Sequence, residues 1–184
     1  CWGRNSSGEL GDGTTTDRST PVSVSGTSFE SVSTGDDHTC GVVGISLYCW
    51  GDNSHGQLGP GITVPSSSTP ALVSGIRPVY VSAGGQYSCV EPTLPAKLTC
   101  WGANAFGQLG SGSTGAGGST PVEHSSPWDF DAGPRHACAL FAAQRASCWG
   151  SNDFGSVAAV ADPVVPAPLQ VSSISFSKIR AGSH

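Results

Sequence analysis

The tripeptide Cys-Trp-Gly recurs at a nearly constant interval, and this repeat constrains the fold more than any other feature of the chain. It begins at Cys1, Cys49, Cys100 and Cys148, so successive copies lie 48, 51 and 48 residues apart. A period near 50 residues is typical of repeat proteins, in which each unit packs against its neighbours. The sequence therefore predicts one array over residues 1–184. Its units are residues 1–48, 49–99, 100–147 and 148–184, the last of which is incomplete.

Further landmarks keep the same register. An Asn lies two residues after each tripeptide, and in the first three copies a Gly-x-Leu-Gly segment follows it. A Thr-Pro pair then precedes a short apolar run. A glycine recurs every 49 residues, at Gly35, Gly84, Gly133 and Gly182, and a Cys follows the first three of these by five residues. Because independent landmarks agree, the repeat is a true structural unit.

Each unit has the pattern of short strands separated by turns. In the first unit the apolar segments are 22–24, 29–32, 39–43 and 47–50, bounded by Gly, Pro, Ser and Thr. Four strands in about 50 residues are typical of one blade of a β-propeller. The sequence thus predicts an all-β fold, a partial propeller of roughly four four-stranded blades.

The whole pattern resembles the regulator of chromosome condensation repeat family. The resemblance rests on Cys-Trp-Gly-x-Asn-x-x-Gly-Gln-Leu-Gly, then Pro-x-x-Val, then Gly-x-x-His-Thr/Ala-Cys, and it covers nearly the entire chain. It implies a propeller that usually has seven blades. The family includes a nuclear exchange factor for a small GTPase, binding and scaffold proteins, and secreted inhibitors. Since both ends cut a unit, we expect further blades beyond them; a complete four-bladed ring is the alternative.

Six of the seven cysteines fall in pairs that bracket a hairpin. We predict three disulfides within blades, Cys40–Cys49, Cys89–Cys100 and Cys138–Cys148, because opposed residues of antiparallel strands lie within disulfide range. Cys1 is left without a partner in this sequence. Repeated disulfides favour an oxidising compartment. The alternative is that these cysteines are small buried apolar residues in a reducing cytosol.

A metal site is the third interpretation of these cysteines, since His38 and His136 each lie two residues before one. The sequence lacks the paired Cys-x-x-Cys of structural zinc sites, and Tyr87 replaces His in the second copy. We therefore predict no metal ligands.

The repeated tryptophans and one glycosylation sequon are the other candidate sites. Trp2, Trp50, Trp101 and Trp149 occupy identical repeat positions, and we predict that they form structural core between blades rather than a binding surface. Trp128 lies outside the register, near the place of Phe29, and is also expected in the core. Asn5-Ser6-Ser7 is a sequon, so Asn5 is a candidate glycosylation site, although it is also the repeat Asn.

Composition and motifs exclude several classes of function. The net charge is −5 with no basic run, which argues against nucleic-acid binding. No stretch of 18 apolar residues could span a membrane. No carboxylate pair, nucleophile motif or phosphate-binding loop stands out. We therefore predict no catalytic residues, no cofactor and no enzyme activity.

The loops that differ between units are the expected contact surface. They are residues 60–65, 91–97 and 113–118. Loops of a propeller gather on its rims, where partners bind. The sequence predicts a protein-binding or structural scaffold module of an extracellular, lumenal or cell-surface assembly. A guanine-nucleotide exchange factor for a small GTPase and a secreted enzyme inhibitor are the alternatives.

Overall fold

The computed structural model, which describes residues 1–26, 28–93 and 97–182, contains three antiparallel four-stranded sheets. Blade 1 consists of β1 (Ser31–Thr34), β2 (His38–Val43), β3 (Ser46–Asp52) and β4 (Ser66–Val73). Blade 2 consists of β5 (Pro78–Ala83), β6 (Tyr87–Pro92), β7 (Thr99–Asn104) and β8 (Gly115–Glu123). Blade 3 consists of β9 (Asp129–Ala132), β10 (His136–Leu140), β11 (Arg145–Ser151) and β12 (Val164–Ser175). The predicted fold class, an all-β partial propeller, is confirmed.

Strands follow one another in chain order within every blade, so each sheet is a simple meander. We call the upper edge the end where the first two strands of a blade join, at residues 35–37, 84–86 and 133–135. The long loop between the third and fourth strands also lies at the upper edge. The lower edge carries the hairpin between the second and third strands. In blade 1 this hairpin turns at Gly44, whose φ of 56° favours glycine.

The sheets are offset from the sequence repeats, because each blade takes its first two strands from one repeat and its last two from the next. Residues 1–26 occupy the place of the outer strands of a preceding blade. There Cys1 and Val22 exchange two backbone hydrogen bonds, of 2.9 and 2.8 Å, and Gly3 bridges to Arg18. The predicted strand at 22–24 is not formed as a regular strand.

Apolar residues fill the spaces between blades. One cluster, between blades 1 and 2, includes Leu47, Val81 and Trp101, and another, between blades 2 and 3, includes Leu98, Phe130 and Trp149. Regular structure outside the sheets is limited, within the described part of the chain, to two short 3₁₀ turns at Ala142–Gln144 and Asp153–Gly155. Within residues 1–26, 28–93 and 97–182, no helix has the length and apolar character needed to cross a membrane.

Candidate functional site

The turn after each of the first three Cys-Trp-Gly copies docks onto the tryptophan of the following copy. Trp50, Trp101 and Trp149 are fully buried. Their indole Nε1 atoms donate to the main-chain oxygens of Glu9, Gln57 and Gln108, at 2.9, 3.0 and 2.9 Å. A buried indole needs such an acceptor. The turn of one repeat therefore holds the adjacent blade through one repeated hydrogen bond.

Two glycines allow the turn to approach the next blade this closely. A Cβ on Gly56 would lie 2.5 Å from the backbone nitrogen of Ser119 on β8, and one on Gly59 would lie 3.1 Å from the Trp101 ring. Both glycines also have positive φ, 78° and 107°, which favours glycine. The sequence landmark Gly-x-Leu-Gly is thus a contact surface for the next blade and not a phosphate-binding loop.

The repeat Asn shapes the long upper loop. Asn53 accepts a hydrogen bond from the backbone nitrogen of Leu58 at 3.0 Å and donates through Nδ2 to the oxygens of Ile62 and Val64, at 3.0 and 2.7 Å. Asn104 and Asn152 make the corresponding bonds to Leu109 and Val157. One buried amide therefore closes each loop, which frees the remaining loop residues to vary.

Three disulfides join the second and third strands of the blades, Cys40–Cys49, Cys89–Cys100 and Cys138–Cys148. The members of each pair lie directly opposite in the strand register, with Cα atoms 4.1 Å apart. Cys1 has a free thiol. The disulfides lie in the middle of the sheets, away from the rims, and brace the frame that presents the loops.

Two tryptophans expected in the core are exposed. Trp2 is 66% exposed in this chain. Trp128 is 71% exposed, since Phe130, at 2% exposure, fills the space between blades 2 and 3 instead. Trp128 lies one residue before β9, beyond the packed part of the sheet. The prediction of a core position is therefore wrong for Trp128, whereas Trp50, Trp101 and Trp149 lie in the core. A core position for Trp2 stays a prediction.

Asn5 is buried within its loop. Its Oδ1 accepts from Leu10 N at 2.9 Å, and its Nδ2 donates to the oxygens of Thr14 and Thr16 at 3.0 and 3.1 Å. A glycan on Nδ2 cannot coexist with this geometry. Glycosylation of Asn5 stays an untested prediction, and the folded loop argues against it.

Side-chain hydrogen bonds link the first strand of each blade to the chain segment next to it. Ser33 Oγ accepts from Ala83 N at 2.9 Å, Ser82 Oγ accepts from Ala132 N at 3.0 Å, and Asp131 Oδ2 accepts from Ala181 N at 3.0 Å. Ser82 also donates to Asp131 at 2.8 Å. These polar groups are mutually satisfied, so they hold the blades in register rather than present a reactive centre.

The upper edge is acidic and includes most of the carboxylates of the chain. They are Glu9, Asp12, Asp17, Asp36, Asp37, Asp52, Asp153 and Asp162. Three basic residues lie there, Arg4, Arg18 and Arg135. The net charge of −5 therefore resides mainly at this edge. Assigning each charge to its predicted turn would have revealed this asymmetry from the sequence.

Some of these charges are fixed within the fold. Arg4 pairs with Asp37 and with Glu9. Hydrogen bonds from Thr14, with the Arg18 guanidinium, lower the pKa of Asp12 to about 2 against the opposing effect of burial. Arg135 lies over the Phe106 ring, 4.8 Å from its centroid. The upper edge therefore presents ordered polar groups.

The predicted loop at 91–97 is only partly visible, because residues 94–96 lie outside the described residues. The loops at 60–65 and 113–118 belong to the upper edge. Among the described residues, no three His, Cys, Asp or Glu side chains come together in a way that could hold a metal ion. What the site offers is a rigid frame with an acidic, loop-covered edge.

The fold and its loop-bearing edge define a β-propeller of the meander-blade class. The sequence pattern of the Regulator of chromosome condensation (RCC1) repeat matches residues 1–42 and 46–90, and a second pattern of the same repeat matches residues 29–57. Residues 1–90 therefore carry RCC1 repeats. A comparison with curated proteins finds no significant match.

Solved structures with the same fold include yeast RCC1 (Prp20) bound to Kap60, with a TM-score of 0.77 and 24% identity over 91% of this chain and 43% of that chain. Human WBSCR16 has a TM-score of 0.74 and 19% identity, over 90% of this chain and 45% of that chain. The ectodomain of the Physcomitrella patens receptor kinase CR4 has a TM-score of 0.53 and 20% identity, over 84% of this chain and 33% of that chain. This chain therefore spans less than half the length of each, and these likenesses show the fold alone.

Proposed function

We propose that this chain is part of a non-catalytic propeller that binds protein partners, or serves as a structural scaffold, in an extracellular, lumenal or cell-surface assembly. The observation that carries the proposal is the set of three buried disulfides at one repeated position. Disulfides persist in oxidising compartments and are rare in the cytosol and nucleus. The CR4 structure, which shares this fold, is the ectodomain of a receptor kinase.

Partner binding is assigned to the upper edge, where loop contents differ between blades and the frame beneath is fixed. Asn53 and Trp101 belong to that frame, whereas Ser54 and Asp36 lie on or near the loop surface. Binding residues are disproportionately found on loops held by a rigid scaffold. The acidic character of this edge favours partners that present basic side chains.

The compartment is tested by measuring the intact mass of natively purified protein after alkylation, with and without reduction. We expect one alkylated thiol, Cys1, before reduction and all seven after it. Seven thiols that react without reduction would overturn the assignment to an oxidising compartment.

The contact surface is tested with a photo-crosslinking residue in place of Ser54 at the upper edge. The matched control carries the same residue in place of Ile45, which is 61% exposed at the lower edge. We expect a specific crosslink from Ser54, competed by unlabelled protein, and none from Ile45. Crosslinks from Ile45 alone, or equal and uncompeted crosslinks from both, would contradict the upper-edge assignment.

The second candidate is nucleotide exchange on a small GTPase, favoured by the fold match to yeast RCC1. It would require the three disulfides to be reduced in a nuclear setting. The assay is release of a fluorescent guanine nucleotide from a panel of small GTPases, with the disulfides intact and reduced. Acceleration by the reduced form would favour this candidate over the scaffold.

A further inference from the structure

His38 lies at the junction between blades 1 and 2. It is the first residue of β2 and is 1% exposed, with its ring against Gly35, where an added Cβ would approach the ring to 2.6 Å. Its Nε2 lies 2.8 Å from the hydroxyl of Ser88 on β6. The ring therefore contacts the neighbouring blade through one short hydrogen bond.

The Ser88 hydroxyl determines which nitrogen of His38 holds the proton. Ser88 Oγ donates its single hydrogen to the main-chain oxygen of Gln57 at 2.9 Å. It can then only accept from His38, so the hydrogen of the neutral ring is on Nε2. The same Gln57 oxygen accepts from Trp101 Nε1 at 3.0 Å. Ser88 and Trp101 thus both donate to one carbonyl at the contact between the two blades, and His38 bonds to Ser88.

The other ring nitrogen, Nδ1, is buried and has no hydrogen-bond partner among the described residues. In the neutral ring it carries only a lone pair. If a proton were added there, a positive charge would be buried in a ring that is 1% exposed, which is costly. The geometry around Nδ1 therefore accommodates the neutral ring and not the imidazolium.

The charged groups around the ring compensate for that charge only in part. Asp52, at the end of β3, already accepts from Ser54 and from Gln57 Nε2, each at 2.6 Å. Asp37, next to His38, pairs with Arg4, which also pairs with Glu9 of the preceding turn. Asp36 lies near Gly85 of blade 2.

These surroundings shift the titration of the ring. Burial lowers the pKa of His38 from 6.5 to about 4, and the Asp52 carboxylate and the Gly85 backbone only partly oppose it. In the unfolded chain the ring binds a proton near pH 6.5, so the folded state binds fewer protons between these values. Stability is fully present above pH 6.5 and falls as the pH is lowered towards 4.

We propose that His38 is an acid-sensitive latch between blades 1 and 2. The neutral ring closes the junction through Ser88 and Gln57. Uptake of one proton from hydronium at Nδ1, which forms one N–H bond and breaks one O–H bond, places a positive charge in the junction and loosens it. Blade 1 would then separate from blade 2 in an acidic compartment, and the junction would stay closed at neutral pH.

The equivalent positions of the other blades supply an internal comparison. Tyr87 takes the place of His38 in blade 2, and its hydroxyl donates to the main-chain oxygen of His136 at 2.6 Å. Burial raises its pKa well above the usual value, so this contact does not titrate in acid. The junction between blades 2 and 3 is therefore closed by a group that does not respond to acid.

The experiment compares urea unfolding at pH 7.5 and pH 4.5 for the wild type and for His38→Tyr, the residue that blade 2 uses. The matched control is His55→Ser, which replaces a His of the upper loop of blade 1 by the residue found at Ser7 in the first copy. We expect the unfolding equilibrium constant of the wild type to rise between the two pH values about 100-fold more than that of His38→Tyr. His55→Ser should keep most of the wild-type response.

An equal pH response of folded His38→Tyr and wild type would overturn the proposal. If His38→Tyr does not fold, NMR titration of the His38 Cε1 proton in the wild-type chain decides. A midpoint near that of an exposed histidine contradicts the latch. A depressed midpoint, with faster amide exchange at Ser88 as the pH falls and unchanged exchange at Ala137, supports it.

Discussion

Trp101 donates its indole hydrogen to the main-chain oxygen of Gln57, 44 residues earlier, at 3.0 Å. This bond crosses from one blade to the next and recurs at Trp50 and Trp149. It explains why Trp and the Gly-x-Leu-Gly turn occur together in the sequence, since neither is satisfied without the other. The repeat unit is therefore defined by a contact between neighbours as much as by its own strands.

The buried and exposed tryptophans provide the first prediction. Trp101→Ala removes a fully buried ring and its hydrogen bond, and we expect a loss of about 3–5 kcal/mol in the free energy of unfolding. Trp2→Ala, at a position that is 66% exposed, should change it by about 0.5 kcal/mol or less. Urea unfolding followed by circular dichroism measures both. Equal losses would contradict the assignment of core positions.

How much the sequence foretold depends on the kind of contact. The hairpin pairs Cys40–Cys49 and Cys89–Cys100 are local, so their spacing alone predicted that the partners face each other. The blade boundaries depend on which strands pair, and a period of about 50 residues determines an interval but not its starting point. The sheets accordingly begin at Ser31 and Pro78, well after each Cys-Trp-Gly.

The misplacement of Trp128 has a different cause. Aromatic residues at 128 and 130 both suit a core strand. In the structure Phe130 lies on the buried face of β9 and packs 5.1 Å from the Tyr80 ring, edge to face. Trp128 precedes the strand and is left outside. Such a choice depends on three-dimensional packing against the adjacent blade.

The disulfides provide the second prediction. Replacing Cys89 and Cys100 together by Ala opens an 11-residue separation, and we expect a loss of about 2–3 kcal/mol through the greater freedom of the unfolded chain. Cys1→Ser removes a thiol that is free in the folded chain and should be neutral within about 0.5 kcal/mol. The measurement is urea unfolding without reductant. If Cys1→Ser is as destabilising as the double variant, the assignment of Cys1 as a free thiol is wrong.

The repeat Asn provides the third prediction. Asn53→Ala leaves the nitrogen of Leu58 and the oxygens of Ile62 and Val64 without their partner. We expect a loss of about 2–4 kcal/mol, because unsatisfied buried polar groups are costly. Ser54→Ala removes an exposed contact in the same loop and should cost less than about 0.5 kcal/mol. Differential scanning calorimetry of the two variants makes the comparison. A tolerated Asn53→Ala would show that the loop closes by other means.

Asn5 provides the fourth prediction, in which glycosylation and folding make opposite demands on one amide. Two variants remove the sequon, Asn5→Gln and Ser7→Ala, but only the first removes the buried amide that bonds Leu10, Thr14 and Thr16. In secretory expression we expect the wild type and Ser7→Ala to show no glycan by intact mass. Asn5→Gln should be less stable than both, by about 1–3 kcal/mol.

A wild-type mass that carries hexosamine, lost in Ser7→Ala, would show that the sequon is modified before the loop folds. The loop of residues 5–17 would then have to adopt a different structure from the one described here. The stability of the glycosylated wild type would then be compared with that of Ser7→Ala, which keeps the amide of Asn5 without a glycan. A glycosylated wild type less stable than Ser7→Ala would show that the glycan displaces the buried amide from its native contacts.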